Sequence, residues 1–239
     1  MSGKLEINYS DEGAGEPLFL LHGNGESNEI FLPQREFFSR TRRVIAPDTR
    51  GHGKTPRGDG PFTIPRFADD LKDLFDTLNI ERADVLGFSD GGNIAIAFAL
   101  KYPERVKRLV LNGANLRPSG VRAKYQTPTF LKYVQACAGK DMGEKTRRRR
   151  EMLGLMVNWP KFSPGDLKKI KAPTLVLAGT DDMIKESHTR LIAASIPQSR
   201  LVFIQGSHFI VGERPEEYNR AVERFFNETD KKQQNEGLV

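Results

Sequence analysis

The sequence predicts an α/β domain: a mostly parallel sheet with helices on both faces, interrupted once by a helical insertion. Three observations carry this. Short apolar runs of strand length alternate with helix-spaced segments over the first 113 residues and again after residue 171. The alternation stops between residues 114 and 171. That same stretch is basic, with 14 Lys and Arg against 4 Asp and Glu, while the rest of the chain holds 23 against 27. The expected division is a core formed by residues 1–113 and 172–230, a basic helical cap at 114–171 and a flexible polar tail at 231–239. A chain of 239 residues is long enough to bury one large core.

Each element has its own signal. Residues 5–9 alternate apolar and polar and predict an edge strand. DEGAGE at 11–16 reads as a turn. PLFLL at 17–21 is continuously apolar, as in a strand covered on both faces. Residues 43–46 predict another strand. Phe67, Leu71, Leu74, Phe75 and Leu78 recur at helical spacing between charges. Residues 83–87 predict a strand, 93–100 a buried helix and 106–111 the next strand. Past the basic stretch, 173–178 predicts a strand, 188–195 a helix, 200–204 a strand and 216–226 an amphipathic helix. Repeated βα units of this kind imply parallel strands. An insertion between two of them would lie over the carboxyl ends of the strands, where open α/β sheets bind ligands.

Composition narrows the function. The single cysteine, Cys137, excludes an internal disulfide framework and a cysteine-based zinc site, and it fits a reducing compartment. The first residues show no apolar leader, and the longest apolar run is far short of a membrane span. A cytoplasmic protein is the expectation, with its oligomeric state open. No nucleic acid is expected as a partner, because the aromatics near the basic residues do not alternate with them and no nucleic-acid-binding motif is visible. No metal or organic cofactor is implied.

The chemistry-bearing motif is Gly87-Phe88-Ser89-Asp90-Gly91, placed directly after a predicted strand and before a predicted helix. A serine there stands on a tight turn, and the flanking glycines remove the Cβ atoms that would crowd it. Serine is a poor nucleophile without a base held in one tautomer. His208, in Gly206-Ser207-His208-Phe209, follows a predicted strand and is the favoured base. His22 is expected to shape its loop through hydrogen bonds, His52 sits in a turn, and His188 is expected on an exposed helix face. The carboxylate should come from Gly179-Thr180-Asp181-Asp182. Asp182 is preferred because the chain must leave the strand before a side chain points back toward His208; Asp181 is the alternative. Backbone N–H groups of Asn24 and Asp90 are expected to hold the oxyanion. The Asp90 carboxylate is expected to point away from it, toward the helix or a basic cap residue.

These stretches together, with HGNG at 22–25, DTRGHGKT at 48–55, GFSDGG at 87–92, AGTDD at 178–182 and GSHF at 206–209, resemble the α/β-hydrolase fold family over nearly the full chain. The resemblance implies an eight-stranded, mostly parallel sheet, HGNG after its third strand, a Ser89–Asp182–His208 triad and a cap after the sixth strand. Serine at the nucleophile position sets the chain apart from the dehalogenases and epoxide hydrolases of this fold, which use aspartate there.

The expected activity is hydrolysis of a small-molecule carboxylic ester through an acyl-enzyme. The alternatives are a C–C bond hydrolase, enol-lactonase or perhydrolase on the same residues, or a slow ligand sensor of this fold. Phe88, Phe130, Trp159 and Phe209 are the candidate substrate contacts. Arg147 to Arg150 precede EMLGLMVNW, which reads as an amphipathic cap helix, apolar toward the sheet. The alternative reading is that Met152, Leu153, Leu155, Met156, Val157 and Trp159 line an acyl pocket or touch a lipid surface with the arginines on anionic headgroups, a weak interfacial contact without stable membrane insertion.

Overall fold

The computed structural model describes residues 4–139 and 143–236. Strands β1 (Tyr9–Glu12), β2 (Pro17–Leu21) and β3 (Arg43–Pro47) come first, with helix α1 (Leu32–Phe38) between β2 and β3. Then follow α2 (Ile64–Thr77), β4 (Ala83–Phe88), α3 (Asp90–Lys101) and β5 (Val106–Asn112). Helices α4 (Ala123–Ala138), α5 (Glu144–Asn158) and α6 (Pro164–Leu167) occupy the basic stretch. The chain finishes with β6 (Thr174–Gly179), α7 (Glu186–Ser195), β7 (Ser199–Ile204), α8 (Ile210–Glu213) and α9 (Pro215–Glu236).

The seven strands form one sheet in the order β1-β3-β2-β4-β5-β6-β7, all parallel except β1. One apolar layer, under α2 and α3, contains Phe19, Val85, Ile94 and Phe98. The other, under α1 and α9, contains Leu20, Phe88, Tyr218 and Phe226. β2 lies between β3 and β4, so the order of strands reverses beside it. The loop after β2 and the turn after β4 therefore open onto the same crevice.

Two expectations about the N-terminal edge change. Among the described residues the sheet has seven strands, so PLFLL is the second strand and the helical insertion follows the fifth. The edge strand is Tyr9–Glu12, not residues 5–9, and it takes in the start of the expected turn. Its register pairs Tyr9 with Pro47 and Glu12 with Val44. Just before it, the Asn8 N–H donates to Thr55 Oγ1 and the Asn8 side chain to Asp48. Those bonds hold the preceding segment against the loop after β3 instead of in a ladder.

The last helix is also longer than its apolar pattern suggests. α9 runs to Glu236, so residues 231–236 of the expected flexible tail are helical, while 237–239 lie outside the described residues. Arg108, wholly buried on β5, explains the continuation. Its guanidinium donates to both Asp84 oxygens, at 2.8 and 2.6 Å, and to Phe226 O and Asp230 Oδ1 on α9. It also stacks on the Phe226 ring at 4.5 Å. Helix α1 has no sequence signal because one of its two buried residues, Gln34, is polar; its amide donates to Val211 O and to Asn219 Oδ1.

A buried guanidinium without its carboxylate is costly. Asp84→Ala is expected to destabilise the fold by about 3–5 kcal/mol, read from the urea midpoint.

Candidate active site

Ser89 stands at the junction of β4 and α3 with φ 55° and ψ −120°, a backbone region that L-residues enter only under constraint. The constraint is close packing. A Cβ on Gly91 would stand 1.9 Å from Leu21 O, and one on Gly87 would stand 2.3 Å from Gly91 O. Only glycines let the turn press this tightly against β2, and the turn lifts the Ser89 hydroxyl off the sheet.

His208 arrives from the loop after β7. Ser207 anchors that loop by donating its N–H and hydroxyl to the two Glu213 oxygens, at 2.9 and 2.6 Å. Asp182 arrives from the turn after β6. His208 Nδ1 lies 2.7 Å from Asp182 Oδ1, and His208 Nε2 lies 3.0 Å from Ser89 Oγ. A carboxylate only accepts, so Nδ1 carries the proton, and the neutral ring presents Nε2 as an acceptor to the Ser89 hydroxyl. Asp182 Oδ1 also accepts the Ile184 N–H at 2.8 Å, which fixes the carboxylate before it meets the ring. Gly113, at φ 62°, packs directly on this ring; a Cβ there would stand 2.5 Å from His208 Cε1. Asp181, the alternative carboxylate, points outward and pairs with Arg122 at 3.1 Å.

The other histidines are occupied elsewhere. His22 is buried, with Nδ1 donating to Gly23 O at 2.7 Å and Nε2 accepting the Thr49 N–H at 3.0 Å. It shapes the loop that follows β2, and burial lowers its pKa. His52 lies behind that loop with Nδ1 on Arg50 O, and burial lowers its pKa to about 4. His188 is not exposed as its helix position suggested. It is half-buried, and its Nε2 accepts the Leu116 N–H at 2.9 Å, tying α7 to the start of the helical insertion.

A cleft of about 170 Å³, open to solvent, lies over Ser89. Phe88, Trp159 and Phe209 line it. Phe130 does not. α4 turns Tyr125, Gln126 and Thr129 to the cleft, and Phe130, just past that stripe, remains half exposed to solvent. On α5, Met156 faces the cleft and Leu155 is buried beneath it. Glu26, Asn115, Val121, Met183 and Ile184 also line it, none of them singled out by the sequence. Of these only Glu26 had a signal, as the acidic residue directly after HGNG. Among the described residues, no group of His, Cys, Asp and Glu could hold a metal ion.

The Asn24 and Asp90 N–H groups make no hydrogen bond within the protein among the described residues, and both residues border the cleft. The Asn24 side chain lies close to the Asp90 carboxyl and donates to Met152 O on α5 at 2.8 Å. The Asp90 carboxylate follows its expectation only in part. Its Oδ1 accepts from Asn93 Nδ2 on α3 at 3.0 Å, but among the described residues no Lys or Arg is bonded to it. Its Oδ2 is buried without a partner. Burial raises its pKa from the ordinary 3.8 to about 6, against the opposing bonds from Asn93 and Asn24.

This shift has a sign that stability can read. The folded chain keeps the Asp90 proton up to about pH 6, whereas an unfolded chain releases it near 3.8. Ionisation is therefore a destabilising term that grows between those values and is complete above the upper one. Asp90→Asn keeps the Asn93 bond and removes that term. Its melting temperature is expected to exceed that of the wild type by more at pH 8 than at pH 4.5, checked by thermal denaturation at both.

Comparison with known proteins places this arrangement. A 2-hydroxy-6-oxo-2,4-heptadienoate hydrolase of Pseudomonas putida is 28% identical, over 96% of this chain and 96% of its own. A 2-hydroxymuconate semialdehyde hydrolase of Pseudomonas putida is 29% identical over 96% of this chain and 94% of its own. Among solved structures, the enol-lactonase from Burkholderia xenovorans LB400 superposes with a TM-score of 0.80 at 25% identity, covering 95% of this chain and 98% of that one. A family model described as the alpha/beta hydrolase fold matches residues 16–154, which take in β2, the strained serine turn and the start of the helical insertion. With that match over more than half its length, the chain belongs to the α/β-hydrolase fold family.

Proposed function

We propose that the protein is a serine hydrolase that cleaves carboxylic esters through an acyl-enzyme. The observation that carries this is the continuous hydrogen-bonded line from Ser89 through His208 to Asp182, at 3.0 and 2.7 Å. Ser89 Oγ attacks the carbonyl carbon as His208 Nε2 takes the hydroxyl proton. Asp182 holds the ring's orientation and stabilises the imidazolium. The tetrahedral oxyanion lies against the Asn24 and Asp90 N–H groups. His208 then returns the proton to the leaving alcohol. A water deprotonated by His208 attacks the acyl-enzyme, and the acid departs with Ser89 restored.

The second reading is hydrolytic cleavage of a C–C bond in a dienoate, the kind of substrate that the name of the first Pseudomonas relative prints for that protein. Residue chemistry in the cleft separates the two readings. A dienoate carries a carboxylate. Among the described residues no Lys or Arg lines the cleft, and Glu26 and Asp90 both do. An anionic substrate would meet uncompensated negative charge, whereas an ester need not be anionic. The helical insertion, residues 114–171, serves as the cap in this proposal, with Tyr125, Gln126, Met156 and Trp159 forming the wall opposite Ser89.

Turnover of a short-chain phenyl ester is expected to fall by roughly 10³-fold or more in Ser89→Ala, measured as steady-state rates of wild type and variant side by side. Equal rates would overturn the assignment of Ser89. A carboxylate-bearing dienoate is expected to be cleaved more slowly than the neutral ester by wild type, scored as kcat/KM.

A further inference from the structure

The floor of the cleft has an electrostatic problem that ester hydrolysis alone does not resolve. Two carboxyl groups lie beside the atom at which negative charge develops. Glu26 Oε2 accepts the Gly23 N–H at 3.0 Å. A Cβ placed on Gly23 would stand 2.8 Å from that oxygen and 3.1 Å from Ser89 Cβ, so the Glu26 carboxyl and Ser89 flank the same glycine. Asp90 is bonded directly to Ser89 in the chain, and its Oδ2 is buried without a partner. Among the described residues no Lys or Arg lines the cleft to offset either group, and the imidazole of His208 is already engaged on both nitrogens.

A buried carboxylate oxygen lacking a donor is costly, and two carboxylates near a developing oxyanion raise the barrier to attack. A positive group carried by the substrate offsets the charge term. An ammonium in the cleft carries a full positive charge beside both residues, which line the same cleft as Ser89. It offsets their charge where the oxyanion forms. Anions are repelled, and neutral esters leave the problem in place.

We propose that the cleft selects esters bearing an ammonium group on the carbon beside the scissile carbonyl, with the Asp90 and Glu26 carboxylates as its counter-ions. This rests on the serine hydrolase reading above. The acyl side is indicated because Asp90 adjoins the nucleophile that becomes acylated, not the far wall of the cleft. Amino-acid esters are the chemical class that fits. Asp90 then acts through two separate groups: its backbone N–H on the oxyanion and its side chain on the substrate ammonium.

A matched pair of substrates tests this. Valine benzyl ester and benzyl 3-methylbutanoate differ by the amine alone. At pH 7, wild type is expected to favour the amine-bearing ester by about tenfold or more in kcat/KM, the scale of one charge-assisted hydrogen bond. Asp90→Asn and Glu26→Gln are each expected to reduce that ratio, Asp90→Asn the more, chiefly through KM for the cationic ester. Each variant is referred to its own rate on the neutral ester, so a general loss of activity does not count as support. A wild-type ratio at or below one overturns the proposal while leaving the serine hydrolase reading intact. A ratio unchanged in both variants also overturns it, since the carboxylates would then be structural. If neither ester is turned over faster by wild type than by Ser89→Ala, the hydrolase reading fails and takes the proposal with it.

Discussion

Ser89 is held in a backbone conformation that costs about 1–3 kcal/mol for a non-glycine residue, and the centre of the sheet is arranged around that constraint. The Gly91 backbone rests on Leu21 O, and Gly87 rests on Gly91. The Ser89 N–H is tied to Asn112 O on β5 at 2.8 Å. Those contacts fix the turn between two buried parallel strands, so its strain is opposed by packing on both sides. The direction of the hydroxyl follows, and with it the place that His208 and Asp182 must reach. Both come from loops at the same edge, after β7 and β6, because parallel strands deliver every carboxyl end to one side of the sheet.

Much of this was legible in the sequence, for a physical reason. Buried parallel strands must be apolar on both faces, so PLFLL, ADVLG and PTLVLA stand out as continuous runs. Tight turns at their ends require glycine, so the functional loops are marked by Gly87, Gly91, Gly179 and Gly206. What was not legible is decided by partners distant in the chain. The extent of α9 depends on Arg108, more than 100 residues earlier, and α1 depends on a buried glutamine that looks like a surface residue. The edge strand is displaced because Asn8 bonds to Thr55 and Asp48. Phe130 and Trp159 read alike as aromatic candidates, and only the facing of the helical segment separates them. Glu26 sits in a loop whose sequence gives no hint that its carboxyl folds back on the Gly23 amide.

Charge distinguishes this cleft more sharply than shape does. The scaffold resembles the relatives over nearly the whole chain, and the strand ends would be compatible with several hydrolytic reactions. Among the described residues, none of the basic side chains of residues 114–171 lines the cleft. On α5, Arg57 from the core pairs with Glu151, and the cleft wall is made by the apolar and neutral residues that follow. The outside of the helical segment is thus cationic while the floor beneath it is acidic, and the two are separated by a layer of Met156, Trp159 and Phe209.

The bond from the Asn24 side chain to Met152 O joins the loop after β2 to α5. It makes helix and loop a single mechanical unit, since the residue that bears one of the free amides is also the residue that grips the helical segment. Specificity in such folds is commonly retuned by exchanging the covering segment while the sheet is kept. Here that exchange is not modular: a transplanted helix that brings no backbone carbonyl within reach of Asn24 would release it, and the loop geometry beside Ser89 would be lost along with the old walls.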